Sequence, residues 1–80
     1  MHMINREEYK AKLQSILDDI YPDKETYQRM SYHVIEPKVH VKMLEYVNKR
    51  YAPYYEGNIG TLYNENKTLL KACLAELGIN

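Results

Sequence analysis

The chain has 80 residues, 45% hydrophobic and 28% charged, with eleven Lys plus Arg against eleven Asp plus Glu. That length suits one small domain, and a net charge of zero removes the simplest argument for a nucleic-acid or anionic-membrane partner. No apolar run approaches the ~18 residues of a membrane span and the start MHMINREEYK lacks a signal peptide's apolar stretch, so a cytoplasmic protein without a membrane partner is expected.

Asn5 offers a side-chain acceptor to the first amides of a helix starting at about Arg6. Glu8 follows as in a capping box, and Ile4 and Tyr9 take the hydrophobic-staple positions. Tyr9, Leu13, Ile16, Leu17 and Ile20 repeat at three- and four-residue spacing until Pro22 breaks the pattern. Asp23 caps a second helix expected from Lys24 to about Ile35, with a thin stripe of Tyr27, Met30, Val34 and Ser31. Glu36-Pro37 marks the next boundary, because a residue before proline avoids helical geometry and proline suits the first helical position. A third helix is expected from Pro37 to about Tyr51. Within it Val39, Val41 and Met43 alternate as a short strand would, yet no second alternating run exists to pair with them.

Residues 52–60 combine Pro53, Gly57, Asn58 and Gly60 and read as a loop. Thr61 or Asn64 is expected to cap a last helix whose Leu62, Leu69, Leu70, Cys73, Leu74 and Leu77 make the most apolar face of the chain. Gly78 and Ile79 are placed to close it as a Schellman motif. The expected fold is all-α, a compact bundle of about four short amphipathic helices in one domain spanning 1–80.

Catalytic constellations are missing from this pattern: no nucleophile sits with a base, and no phosphate loop has its preceding strand and lysine. No enzymatic activity and no cofactor are expected. The single cysteine, Cys73, lies among leucines and reads as a small buried hydrophobe that cannot form an internal disulfide. His33, Glu36 and His40 are ligand-type side chains, but Pro37 falls between them and no fourth ligand is near, so no metal is expected.

Charge is segregated although it sums to zero. Residues 1–25 carry a balance of minus two and residues 38–51 one of plus three. Lys38, Lys42, Glu45 and Lys49 recur at helical spacing, on a face expected to lie opposite Val39, Met43, Tyr46 and Val47. Nine tyrosines with no Phe or Trp are the other departure, and Tyr supplies rigid area to interfaces. Tyr9, Tyr27 and Tyr46 fall on apolar faces, whereas Tyr51, Tyr54, Tyr55 and Tyr63 gather around one loop. The residues therefore point to a protein partner bound by Tyr51, Tyr54, Tyr55 and Tyr63 together with Lys38, Lys42, Lys49 and Arg50. The alternative is a helix-turn-helix-like DNA-binding regulator acting as a homodimer, reading bases with Gln28, Arg29, Ser31, Tyr32 and His33. Against it stand proline in the turn, Asp23 and Glu25 at the groove end, and the absence of net positive charge.

Overall fold

A computed structural model, which describes residues 4–80, shows how the first helix is anchored. In α1 (Arg6–Ile20) the Asn5 side chain accepts from the Glu8 amide at 3.0 Å, while Ile4 and Tyr9 are both buried. The cap forms, and both staple residues are buried in the core. The Tyr51 hydroxyl stands inside the capping box: it accepts from the Asn5 amide at 3.3 Å and donates to Glu8 Oε2 at 3.2 Å. This ties the first turn of α1 to the last residue of a long later helix, α3 (Tyr32–Tyr51).

The helix expected over 24–35 is two elements. Asp23 does cap α2 (Lys24–Gln28), accepting from the Thr26 amide and hydroxyl at 2.9 Å each, but α2 lasts five residues. Residues 29–31 turn the chain, and α3 then runs twenty residues straight through Pro37, which is interior and not its first residue. The bond forfeited is one from residue 37 to the carbonyl of His33, and both residues are exposed, so water can serve that carbonyl. Starting at Tyr32 also changes which residues face inward. Ile35, Val39, Met43, Val47 and Tyr51 recur every fourth residue and are buried, whereas Val34 is 46% exposed and Ser31 lies outside the core. Val39 and Met43 point in and Val41 points out on a helix, which removes the short-strand alternative.

Part of the expected loop is a 3₁₀ turn over Ala52–Tyr55. Glu56 and Gly57, with φ of 49° and 82°, then reverse the chain into α4 (Ile59–Glu76). The cap of α4 is Asn58, whose side chain accepts from the Thr61 amide at 3.1 Å, so Thr61 donates to the cap and neither it nor Asn64 supplies it. The far end closes as expected: Gly78 has φ 92°, and the Gly78 and Ile79 amides donate to the carbonyls of Ala75 and Leu74 at 3.0 and 2.9 Å. The Tyr32 amide donates to the Asn80 carbonyl at 3.2 Å, docking the chain end on the start of α3.

The architecture is all-α, and α3 is its centre, packing on both α1 and α4. Among the described residues, one side-chain hydrogen-bonding pair lies inside the core. The Tyr9 hydroxyl is 2.8 Å from Asn66 Oδ1 and 3.0 Å from the Asn66 carbonyl, with both residues fully buried. Burial pushes the Tyr9 phenol well above its ordinary pKa and keeps it a neutral donor. Outside the core, Arg6 and Lys10 of α1 converge on Glu76 of α4, the lysine at 3.1 Å.

Two outcomes follow from these contacts. Tyr9→Phe leaves buried Asn66 acceptors without their donor and should cost about 1–3 kcal/mol in denaturant unfolding; an unchanged midpoint would show that Asn66 is satisfied otherwise. The Arg6 and Lys10 hydrogen bonds hold the Glu76 carboxyl below the usual range, and the Thr26 amide and hydroxyl do the same for Asp23. Folded values depressed in this way add stability above the unfolded value, ~4, that is lost as pH falls through the folded values. The Tm should therefore drop below about pH 4, and the double variant Glu76→Gln, Asp23→Asn should show a shallower drop.

Candidate functional site

Residues four and three apart on a helix are neighbours, so Lys42, Tyr46 and Lys49 share one face of α3. Antiparallel α1 lies beside that face. Arg50 Nη2 is 3.7 Å from Glu8 Oε1, the Lys12 ammonium sits 5.7 Å from the Tyr46 ring centroid, and the Lys38 ammonium sits 6.0 Å from that of Tyr21. Between the helices is an open depression of about 480 Å³ lined by Lys12, Lys42, Glu45, Tyr46, Lys49 and Arg50.

Four cations and one carboxylate therefore surround a half-buried aromatic ring. Lys12, Lys42 and Lys49 enter no ion pair among the described residues, and Arg50 has only the long contact to Glu8. The Tyr46 ring contacts both the Lys12 ammonium and the Tyr51 ring, which meets it edge to face with centroids 6.4 Å apart. Burial, reinforced by Tyr51, raises the Tyr46 phenol above its ordinary pKa, so the floor is neutral and the charge is all on the walls. An array like this attracts an anionic surface and offers it a ring to pack on.

The chain matches no protein-family model, no curated protein and no solved structure.

Of the expected partner-binding residues, Lys42, Lys49 and Arg50 meet in the depression, while Lys38 is set apart against Tyr21. The basic face does not lie opposite Tyr46. It flanks that ring, because Lys42 and Lys49 are four residues before it and three after it. The four tyrosines do not make one surface. Tyr51 is 3% exposed and serves as the α1–α3 tie, which removes it from any contact surface. Tyr54 is 59% exposed, its ring 6.5 Å from that of Tyr51. Tyr55 is half-buried and its hydroxyl donates to Glu65 of α4, while Tyr63 leans on His40 at 5.4 Å between centroids; neither lines the depression. Lys12 and Tyr46 were outside the expected set. The spacing of 42, 46 and 49 could have revealed Tyr46, whereas Lys12 needed the α1–α3 register.

The residues considered for base reading are divided among elements. Gln28 ends α2 and its amide donates to the Leu77 carbonyl at 3.0 Å, Arg29 and Ser31 are in the turn, and Tyr32 and His33 open α3. No single helix presents all five. His40 Nδ1 lies 2.9 Å from Glu36 Oε2 while His33 packs on Tyr32, and no group of three or more His, Cys, Asp or Glu among the described residues could hold a metal. Among those residues no helix is long and apolar enough to cross a membrane. A second hollow of about 440 Å³, between the start of α1 and α4, is lined by one cation, Arg6, and one carboxylate, Glu65, and has no net sign.

Cys73 is fully buried, and desolvation pushes its thiol up from the ordinary value. A thiol-reactive reagent at neutral pH should therefore label it only as fast as the protein opens. Rapid labelling of the native chain would contradict its place in the core.

Proposed function

We propose that the protein is a non-enzymatic interaction module, acting as an inhibitor, adaptor or regulator, that binds an acidic surface of another protein through the α1–α3 depression. One observation carries this reading: Lys12, Lys42, Lys49 and Arg50 surround Tyr46 in a chain whose net charge is zero. Positive charge concentrated at one place, with Lys12, Lys42 and Lys49 outside any ion pair among the described residues and Arg50 in only a long one, steers a partner and selects its sign. Exposed Tyr54, tilted against the Tyr51 ring that Arg50 covers, supplies aromatic area at the same end.

Duplex DNA fits this arrangement less well. Phosphates continue along a duplex, whereas α1 continues past Lys12 into Asp18 and Asp19, and Asp23 and Glu25 follow. The abundance of Lys, Asn, Ile and Tyr suits an accessory protein of an AT-rich genome, phage or plasmid.

The test is a side-by-side titration of poly-L-glutamate and mixed-sequence duplex DNA at low and near-physiological salt, with the folded Lys42→Glu, Lys49→Glu variant as control. Poly-glutamate should bind at low salt, and the variant should lose at least about tenfold in affinity, ~1.4 kcal/mol. Tighter binding of the duplex, or glutamate binding unaffected by the two reversals, would overturn the proposal.

A further inference from the structure

We infer that the occupant of the α1–α3 depression is an α-helix of the partner protein carrying acidic residues at i and i+7, with an apolar residue between them at i+3 or i+4. This rests on the reading of the depression as a protein-binding site. Lys42 and Lys49 are seven residues apart on α3, about 10.5 Å at 1.5 Å per residue. A helix laid alongside α3 repeats its i and i+7 side chains at that same distance. An extended chain repeats a face at about 6.7 Å and then about 13 Å, on either side of it.

Tyr46 lies between the two lysines in sequence, half-buried and in contact with Lys12 and Tyr51, so the part of its ring left in solvent is a fixed apolar surface midway between two charges. An apolar side chain at i+3 or i+4 of the incoming helix falls on that surface. Two antiparallel helices leave a groove between them into which a third packs by interleaving side-chain ridges. Lys12 on the opposite wall then meets the flank of the guest helix. Glu45 on the lining penalises an acidic residue facing it, so a uniformly acidic helix is a poorer guest than a patterned one.

A second copy of this chain does not supply the pattern. None of its helices carries two acidic residues seven apart, because Glu7, Glu8, Asp18 and Asp19 of α1, Glu36 and Glu45 of α3, and Glu65 and Glu76 of α4 are all at other separations. The guest is therefore a different protein.

Two synthetic peptides of equal length, composition and charge test the inference on the full chain by fluorescence anisotropy at near-physiological salt. One is a helix former with Glu at i and i+7 and Leu at i+4, and the other is scrambled to break that register. The patterned peptide should bind at least about tenfold tighter. Lys42→Glu, Lys49→Glu should abolish its binding and accept instead the peptide with Lys at i and i+7. Equal affinity for the two acidic peptides would overturn the helical register while leaving an acidic partner in place. Binding of neither peptide, with poly-glutamate also unbound, would overturn this inference and the reading on which it rests.

Discussion

The position of the Tyr51 hydroxyl inside the capping box of α1 decides the geometry of the proposed site. A closed box would satisfy the Asn5 amide with the Glu8 carboxylate and leave the end of α3 held to α1 by apolar packing, without a directional tie. Here the amide, the phenol and the carboxylate form a chain, and the last link is a hydrogen bond to a charged acceptor, a class worth roughly 1.5–3 kcal/mol. With the start of α1 pinned to residue 51, Lys12 comes over Tyr46 and Tyr21 comes under Lys38. A slip of one helical turn, about 5.4 Å, would take Lys12 off the ring and open the cation cluster. The contact that starts the first helix also assembles the depression.

That economy follows from size. A chain this short buries only about 60–65% of its unfolded surface, so side chains that both fill space and tie elements together are favoured. Tyrosine does both. Tyr9 and Tyr51 are buried, and each spends its hydroxyl on a partner far away in sequence, Asn66 and Glu8 respectively. Phenylalanine at position 9 would fill the same volume and leave the buried Asn66 acceptor of another helix unsatisfied, whereas at position 51 it would cut the tie but leave Asn5 and Glu8 to water. The remaining surface-facing rings are then few, and only Tyr54 keeps most of its area in solvent.

What could be read from the residues alone divides by range. The cap at Asn5, the staple of Ile4 and Tyr9, the cap at Asp23 and the closure at Gly78 and Ile79 involve neighbours within one or two turns, and each forms as expected. The break between α2 and α3 does not. Proline at 37 reads locally as a helix start, yet burial of Ile35 against the core and docking of Asn80 on Tyr32 extend α3 back past it. Tertiary packing outweighs a single backbone hydrogen bond lost to solvent. The site was half visible for the same reason. Lys42, Lys49 and Arg50 are local to α3, whereas Lys12 and the withdrawal of Tyr51 depend on a pairing 43 residues apart in sequence.

Neutrality and a basic site are compatible because charge acts over a limited distance. At physiological ionic strength the screening length is about 8 Å. Asp18 and Asp19 are six and seven residues beyond Lys12 along α1, about 9–10 Å by helix rise, so a group seated on Tyr46 feels the nearby cations far more than the acids further on. A partner of the kind proposed would then interact strongly with the site only once in register. A polyanion without pattern gains from the cations near the depression and loses against Asp18, Asp19, Asp23 and Glu25 as it runs along the bundle. Under the proposed function, the segregated charge would discriminate by length as well as by sign, and would favour a short acidic element of one protein over a continuous backbone of phosphates.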